Sequence, residues 1–243
     1  MIKSLNRDER LKREFDDFLL VHPSGYFSPL KDYLTKHYDL SNKKILEFGC
    51  GTGGMLPSLL KEGPSELIGI DTSKKAIQYA VNNSPTKIKY ICGDIGEMKD
   101  TFGSYDFIVS NSALQYVDNI DQVFKTLHRK LIRGGVLFAT IEIEKQTSLI
   151  NIMQFCGLYF LPACIKRRLY FIWKFLPGRK SYFNQLEVIK GKTRYLCIPV
   201  VNWVDRTILE NLLGQAGFTN YKISDAPKLH ELSRPHYLIE ART

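Results

Sequence analysis

An α/β fold built around a parallel sheet is what this sequence predicts, and three observations predict it. The chain has 243 residues, 44% hydrophobic and 24% charged, the proportions of one ordinary globular domain and too apolar for disorder. Short apolar runs recur at intervals of roughly 20 to 30 residues. The stretches between them are of helix length and carry helix start and stop signals. Strands alternating with helices imply βαβ units, whose crossovers place neighbouring strands parallel.

The elements follow in order. Residues 7–38 read as one or two helices around a break at His22-Pro23-Ser24-Gly25, and residues 1–40 form a helical leader. Lys44–Phe48, Leu67–Ile70, Ile88–Ile91, Phe107–Val109 and Val136–Ile141 are the strand-like runs. Asp71-Thr72-Ser73 offers N-cap oxygens to a helix over Lys74–Asn82. Asp121–Ile132 carries apolar residues at Val123, Phe124, Leu127 and Leu131, and the spacing predicts a helix there that stops at Gly134-Gly135. A helix over Val204–Ala216 and two strands, Phe218–Ser224 and Tyr237–Ala241, close the chain. The rhythm is interrupted between them: residues 145–200 hold ten of the 29 aromatics and read as an insertion.

Charge follows the same division. Lys+Arg 34 against Asp+Glu 25 gives +9, yet residues 151–200 carry nine basic side chains and one acid, so they hold +8 and the remainder only +1. A protein gripping duplex DNA or structured RNA needs a broader basic track, so nucleic acid is not the expected partner. The five cysteines (Cys50, Cys92, Cys156, Cys164, Cys197) include no C-x-x-C and no histidine at zinc spacing, which argues against both a disulfide scaffold and a metal site. The alternating charges at Met1–Arg10 replace the apolar run of a signal peptide. The longest apolar stretch, Leu149 to Ile165, contains Asn151, Gln154 and Pro162 and reads as non-spanning. A reducing, cytoplasmic location is expected, with peripheral contact to the inner face of a membrane as the alternative.

The first strand runs into Glu47-Phe48-Gly49-Cys50-Gly51-Thr52-Gly53-Gly54, a turn whose glycines let a ligand lie against backbone. Gly49, Gly51 and Gly54 also fit G-x-G-x-x-G, with Asp71 20 residues beyond Gly51, the spacing of a dinucleotide fingerprint. The acid two residues before the first glycine separates the readings. Glu47-x-Gly49-x-Gly51-x-Gly53 resembles motif I of the class I S-adenosylmethionine-dependent methyltransferases. The order continues with Asp71 ending the second strand, Gly93-Asp94-Ile95 the third, Ser104 to Val117 resembling the fourth-strand signature, and Leu127–Ile141 the fifth. The resemblance spans residues 40–142 and resumes at 203–241. It implies a Rossmann-like, doubly wound seven-stranded sheet with its last strand antiparallel. In that frame residues 41–144 are the cofactor-binding core, residues 145–200 a helical and aromatic lid, and residues 201–243 the completion of the core, all within one methyltransferase domain over 1–243.

The cofactor implied is S-adenosylmethionine, leaving as S-adenosylhomocysteine, with no metal. It has an adenine, a ribose diol and a zwitterionic methionine, and no phosphate. A carboxylate accepting two hydrogen bonds suits the diol, and the resemblance assigns that role to Asp71, with Thr72 beside it. Asp94 and the Ile95 backbone are assigned to the adenine. Gly49, Cys50, Gly51 and Gly53 form the loop that passes the cofactor, Glu47 orients that loop or reaches the methionine end, and Asn111 faces the same crevice. Simpler roles stay open: Asp71 as a helix cap, Asp94 as a turn residue, Asn111 and Gln115 as local turn bonds.

Methyl transfer from a sulfonium needs placement and, for an acidic O–H or N–H acceptor, a base. Asn111-Ser112-Ala113-Leu114 departs from the family's Pro-Pro-aromatic motif for amide and DNA amino groups, and resembles the small-molecule branch. The expected activity is O- or N-methylation of a small organic acceptor. Glu142 and His22 are the candidate bases, with His236 and His230 as further possibilities, and Tyr26, Tyr33, Gln115, Tyr116 and Trp173 are candidate acceptor contacts. Ile165, Leu169, Ile172, Trp173 and Leu176 recur at helical spacing beside Lys166, Arg167 and Lys174. Such a basic amphipathic stretch suits a lid, an acceptor pocket for an acidic or carrier-linked substrate, or a helix within 149–180 resting on anionic lipid and drawing on a quinone or isoprenoid. A protein that binds the cofactor without transferring methyl is the reading from another class. Oligomeric state leaves no mark in the sequence.

Overall fold

The computed structural model describes residues 28–97, 104–142, 185–189, 192–196, 202, 204–226 and 236–243. Contacts divide the chain into two units, one of residues 22–145 with 200–243, the other of residues 1–21 with 146–199.

The first unit carries a seven-stranded sheet. Its strands are β1 (Lys44–Phe48), β2 (Glu66–Asp71), β3 (Ile88–Cys92), β4 (Tyr105–Asn111), β5 (Leu131–Glu142), β8 (Asn220–Asp225) and β9 (His236–Arg242), in the order β3-β2-β1-β4-β5-β9-β8. Strands β1 to β5 pair in parallel, and β9 runs antiparallel to both β5 and β8. The sheet is the Rossmann-like, doubly wound one expected, with its final strand reversed. The chain steps outward from β1 through β2 to β3 and then crosses back to β4 on the other side of β1, so the sheet has a topological switch point between β1 and β4. The carboxyl ends of the strands flanking such a point form a crevice.

Helices α1 (Ser28–His37), α2 (Leu56–Leu59), α3 (Lys74–Asn83), α4 (Ile120–Lys130) and α5 (Arg206–Ala216) connect the strands. The starts of α3, α4 and α5 are set by short polar side chains. The Ser73 hydroxyl accepts from the Ala76 N–H at 3.2 Å, Asn119 Oδ1 from Gln122 at 3.1 Å and Asp205 Oδ1 from Ile208 at 2.9 Å, each satisfying one donor of a first turn. Helix α4 stops at Lys130 rather than reaching Ile132, because Leu131 is already extended and pairs with Tyr105. Gly134 and Gly135 therefore do not end the helix. Their work is in the sheet, where the β4–β5 register slips between Tyr105 and Phe107 and a Cβ on Gly135 would lie 2.9 Å from the Ile132 carbonyl oxygen.

Alternation along the strands builds two cores. Leu46, Ile68, Ile70, Ile108, Leu137, Ala139, Ile141 and Ile239 face α4 and α5 through Phe124, Leu127, Leu209 and Leu213. Ile45, Leu67, Phe107, Val109, Val136, Phe138 and Leu238 face the other way, onto Leu30 and Leu34 of α1 and Leu56 and Leu59 of α2.

In the second unit, β6 (Gln185–Ile189) and β7 (Lys192–Leu196) form an antiparallel hairpin with Ile189 opposite Lys192. The aromatic and basic content of this region points to helix and lid, and does not reveal these strands. The amphipathic stretch around Trp173 lies outside the described residues, as do His22, Tyr26 and His230.

Candidate active site

The face of the sheet that packs on α1 changes character at its carboxyl edge. Following the period of two, the apolar run ends in Glu47 after Ile45, Asp71 after Leu67 and Gly69, Asn111 after Phe107 and Val109, and Thr140 and Glu142 after Val136 and Phe138. On the reversed strand β9, His236 precedes Leu238. These six residues form a polar row across β2, β1, β4, β5 and β9, spanning the switch point. All are buried. Polar groups sunk this deeply require partners.

At the β1–β2 end, the loop after β1 folds back over the row. The Gly49 and Cys50 N–H groups donate to the Ile70 carbonyl at 2.9 and 3.1 Å. The Gly51 N–H donates to one Asp71 oxygen at 2.9 Å, and the Ser73 N–H to the other at 2.8 Å. One carboxylate thus pins the glycine loop and opens α3. Gly49 and Gly53 have φ of +71° and +76°; a Cβ on the first would lie 2.2 Å from the Ala113 Cβ and on the second 2.5 Å from the Tyr90 hydroxyl. Tyr90 supports the loop from behind by donating to the Gly53 carbonyl at 3.3 Å, a role sequence reading missed because one tyrosine in a strand carries no signal. Burial raises its pKa.

Glu47 is sealed, and its Oε2 has no partner. Burial, reinforced by the Asp71 charge, holds its carboxyl well above the ordinary carboxylate range. The same burial, then Glu47 and Asp71, pushes the Cys50 thiol up, which makes it an unreactive packing group. A buried acid beside a second acid, with one oxygen unpaired, suits a ligand that brings a cation or a hydrogen-bond donor. On the flank, Asp94 is exposed and accepts the Gly96 N–H at 2.6 Å, the turn geometry that was its simpler reading. Ile95 is buried beside it, and Thr72 is exposed, its carbonyl receiving the Cys92 thiol at 3.8 Å.

At the β4–β5–β9 end, the Thr140 hydroxyl donates to Asn111 Oδ1 at 2.7 Å and accepts the Ser112 N–H at 3.0 Å. That fixes the Asn111 amide so that Nδ2, buried and unpartnered, is presented as a donor. Ser112 has φ of +53°, rare for a residue with a side chain, and its hydroxyl lies 2.9 Å from His236 Nε2. His236 is directly opposite Glu142 in the β5–β9 register. The turn Leu114–Tyr116 follows, with Gln115 Oε1 buried and unpartnered and Tyr116 half-buried. Asn202 clamps this turn, its N–H donating to the Gln115 carbonyl at 2.9 Å and its Nδ2 to the Val117 carbonyl at 2.6 Å. Tyr33 stands apart. It stacks on Phe138 and donates to Glu240 at 2.9 Å, at the Phe138 level of the sheet rather than at its carboxyl edge.

Comparison with known proteins agrees with this geometry. Residues 46–139, from β1 into β5, match a family described as a methyltransferase domain. Over those residues the chain is similar to members of the class I S-adenosylmethionine-dependent methyltransferase superfamily. Among relatives of this superfamily, the malonyl-(acyl-carrier protein) O-methyltransferase of Acetivibrio thermocellus is 30% identical over 158 residues, covering 63% of this chain and 52% of that protein. A ubiquinone biosynthesis O-methyltransferase of Erwinia tasmaniensis is 27% identical over 195 residues, covering 77% and 70%. The chain spans about half or less of the length of several other curated relatives it matches. In fold, the magnesium protoporphyrin IX methyltransferase of Synechocystis, solved with bound S-adenosylhomocysteine, superposes with a TM-score of 0.55 at 15% identity, covering 100% of this chain and 90% of that one. Among the described residues no helix is long and apolar enough to cross a membrane.

Proposed function

We propose that this protein transfers a methyl group from S-adenosylmethionine to a small organic acceptor, at oxygen or nitrogen. The observation that carries the reading is the polar row with its unpaired atoms: Glu47 Oε2, Asn111 Nδ2 and Gln115 Oε1, buried at a methyltransferase switch point. The row suits the cofactor group by group. Asp71, which holds the loop, supplies a carboxylate for the ribose diol. The positive-φ glycines of the 49–53 turn bring backbone against the ribose and methionine portions, and Cys50 fills the space beneath. Glu47 answers the cationic methionine end. Asp94, Ile95 and Thr72 flank the adenine, and Asn111 reaches the crevice from β4. When bound, the sulfonium supplies an activated methyl with a neutral leaving group. The chain then has to place the acceptor in line and exclude water.

The acceptor side comprises Gln115, Tyr116 and the Glu142 region, to which His22, Tyr26 and Trp173 remain proposed additions. A radiolabelled-methyl assay on a metabolite extract, followed by mass identification of the product, tests the reading. Tight S-adenosylhomocysteine binding with no labelled product would leave a cofactor-binding protein that transfers no methyl.

A second reading is favoured by one observation, the +8 held within residues 151–200: a lipid-, quinone- or isoprenoid-like acceptor taken at a membrane surface. Co-sedimentation with anionic vesicles that is lost at high salt supports it; vesicles that never pellet the protein exclude it.

A further inference from the structure

We propose that Ser112 and His236 form the proton-accepting pair of the acceptor subsite, and that the acceptor is accordingly a neutral hydroxyl compound rather than a carboxylate. This rests on the methyltransferase reading above.

The geometry is assembled from three strands. Ser112 follows the last residue of β4, at the rim of the polar row, and its left-handed backbone is held by its N–H donating to both the Thr140 hydroxyl and the Thr140 carbonyl, at 3.0 and 3.2 Å. Non-glycine residues keep such a conformation only where the surroundings enforce it, and they concentrate at functional sites. What the conformation achieves is a hydroxyl 2.9 Å from His236 Nε2. Glu142 is the direct partner of His236 across β5 and β9. Residues so paired have Cβ atoms about 5 Å apart, close enough for a carboxylate to stabilise an imidazolium. Among the described residues, two elements place further groups near His236. On β8, Asp225 pairs with the next residue, Tyr237, and the Ala226 N–H donates to the His236 carbonyl at 2.8 Å. Arg206 lies over the Tyr237 ring, on the opposite face.

The step balances without another reactant. An acceptor hydroxyl oxygen forms the new C–O bond while the methyl–sulfur bond breaks, its electron pair returning to sulfur as the thioether of S-adenosylhomocysteine. The acceptor proton passes to Ser112 Oγ as the Ser112 proton moves to His236 Nε2. An acceptor that is already an anion, such as a carboxylate, has no proton to give and no use for this pair. Ser112 is the residue that touches the acceptor, and His236 is the positioning residue behind it. The unpaired Asn111 Nδ2 and Gln115 Oε1 offer one donor and one acceptor for orienting the substrate.

Two measurements on the full chain test this. The first needs no acceptor: the His236 ring is followed by NMR from about pH 5 to pH 9, with S-adenosylhomocysteine present, in the wild type, Ser112→Ala and Ser112→Thr, and assigned by the signal lost in His236→Gln. A ring that titrates in this range, with a midpoint moved by Ser112→Ala and restored by Ser112→Thr, is expected. A ring that stays in one protonation state throughout overturns the pair. The second is methyl transfer into a metabolite extract. The expected product is a methyl ether, its formation slowed about 100-fold or more in His236→Gln, with a wild-type pH–rate profile that the variant lacks and with S-adenosylhomocysteine affinity unchanged. A methyl ester as product, or full-rate transfer by His236→Gln, overturns it. If the wild type binds S-adenosylhomocysteine and labels nothing, the function reading fails, and the NMR titration still decides whether the pair exists.

Discussion

The two ends of the polar row are made in different ways. At the β1–β2 end the parts are close in sequence: Glu47, the 49–53 turn and Asp71 lie within two consecutive strands, and the longest hydrogen bond among them, Gly51 to Asp71, spans 20 residues. At the β4–β5–β9 end, Ser112 meets Thr140 across 28 residues and His236 across 124. In the proposed function the first end presents one shape to a fixed cofactor, which a local unit suits. The second has to suit an acceptor, and it borrows from strands that come together only on folding. The ends meet where Gly49 packs against Ala113 beside Ser112.

That contact gives the largest expected effect. Gly49→Ala puts a Cβ 2.2 Å from the Ala113 Cβ, on a backbone with φ of +71°. Steric overlap against a left-handed backbone should cost about 2–4 kcal/mol, seen as a large drop in Tm together with loss of cofactor binding. Adding Ala113→Gly relieves the overlap but not the backbone strain, so the double variant should recover part of the loss. If the two effects simply add, the ends are not coupled here.

Next in size is Asp71→Ala, which removes the acceptor of the Gly51 and Ser73 N–H groups as well as the proposed diol contact. Hydrogen bonds to charged groups are worth about 1.5–3 kcal/mol each, so S-adenosylhomocysteine affinity by calorimetry should fall on the order of 100-fold. Unchanged affinity would leave Asp71 as a loop pin and helix cap only. Asp71→Asn separates the roles further, because one amide oxygen can keep the Gly51 contact without supplying two acceptors to a diol.

Legibility follows the same division. The strands themselves, the glycine turn and the acids near the ends of β1 and β2 are readable because each is a local pattern at a known interval, whereas the doubly wound sheet and its reversed last strand follow from the family resemblance. The Ser112–His236 contact is not readable, since no spacing rule links residues 124 positions apart. Three further signals misled or were silent. Gly134-Gly135 reads as a helix stop and serves a slip in register; Tyr33 reads as an acceptor contact and packs on Phe138. The third is the β6–β7 hairpin, hidden by a composition that argues for helix. What would have found the polar row is the period of two applied to the last two residues of every strand on one face.

A smaller effect separates binding from stability. Glu47 has an ordinary value near 4.5 and is held well above it in the folded chain by burial and Asp71. Below about pH 4.5 folded and unfolded chains both keep this proton. Above it the unfolded chain releases the proton while the folded chain retains it, so Glu47's contribution to stability declines as pH rises through its raised folded value. Glu47→Gln removes that decline. The variant should therefore have a higher Tm than the wild type at neutral pH without ligand, a gap that closes toward pH 4, and a weaker affinity for S-adenosylhomocysteine by about tenfold. An equal Tm difference at both pH values would mean that the carboxyl is ionised in the folded chain.

The smallest effect is expected where the α1-facing core meets neither end. Tyr33 and Tyr38 both donate to Glu240, one to each carboxylate oxygen, and burial with this bonding raises Tyr33 and pushes Tyr38 up to about 12. Both hydroxyls thus stay protonated through the physiological range and act as fixed donors that tie α1 and the residue after it to β9. Tyr33→Phe deletes one donor and leaves the ring stacked on Phe138, so it should lower stability by about 0.5–1.5 kcal/mol and leave S-adenosylhomocysteine affinity and the methyl-transfer rate within twofold of the wild type. A loss of transfer rate with unaltered stability would place Tyr33 at the acceptor after all, and would extend the variable end of the row beneath α1.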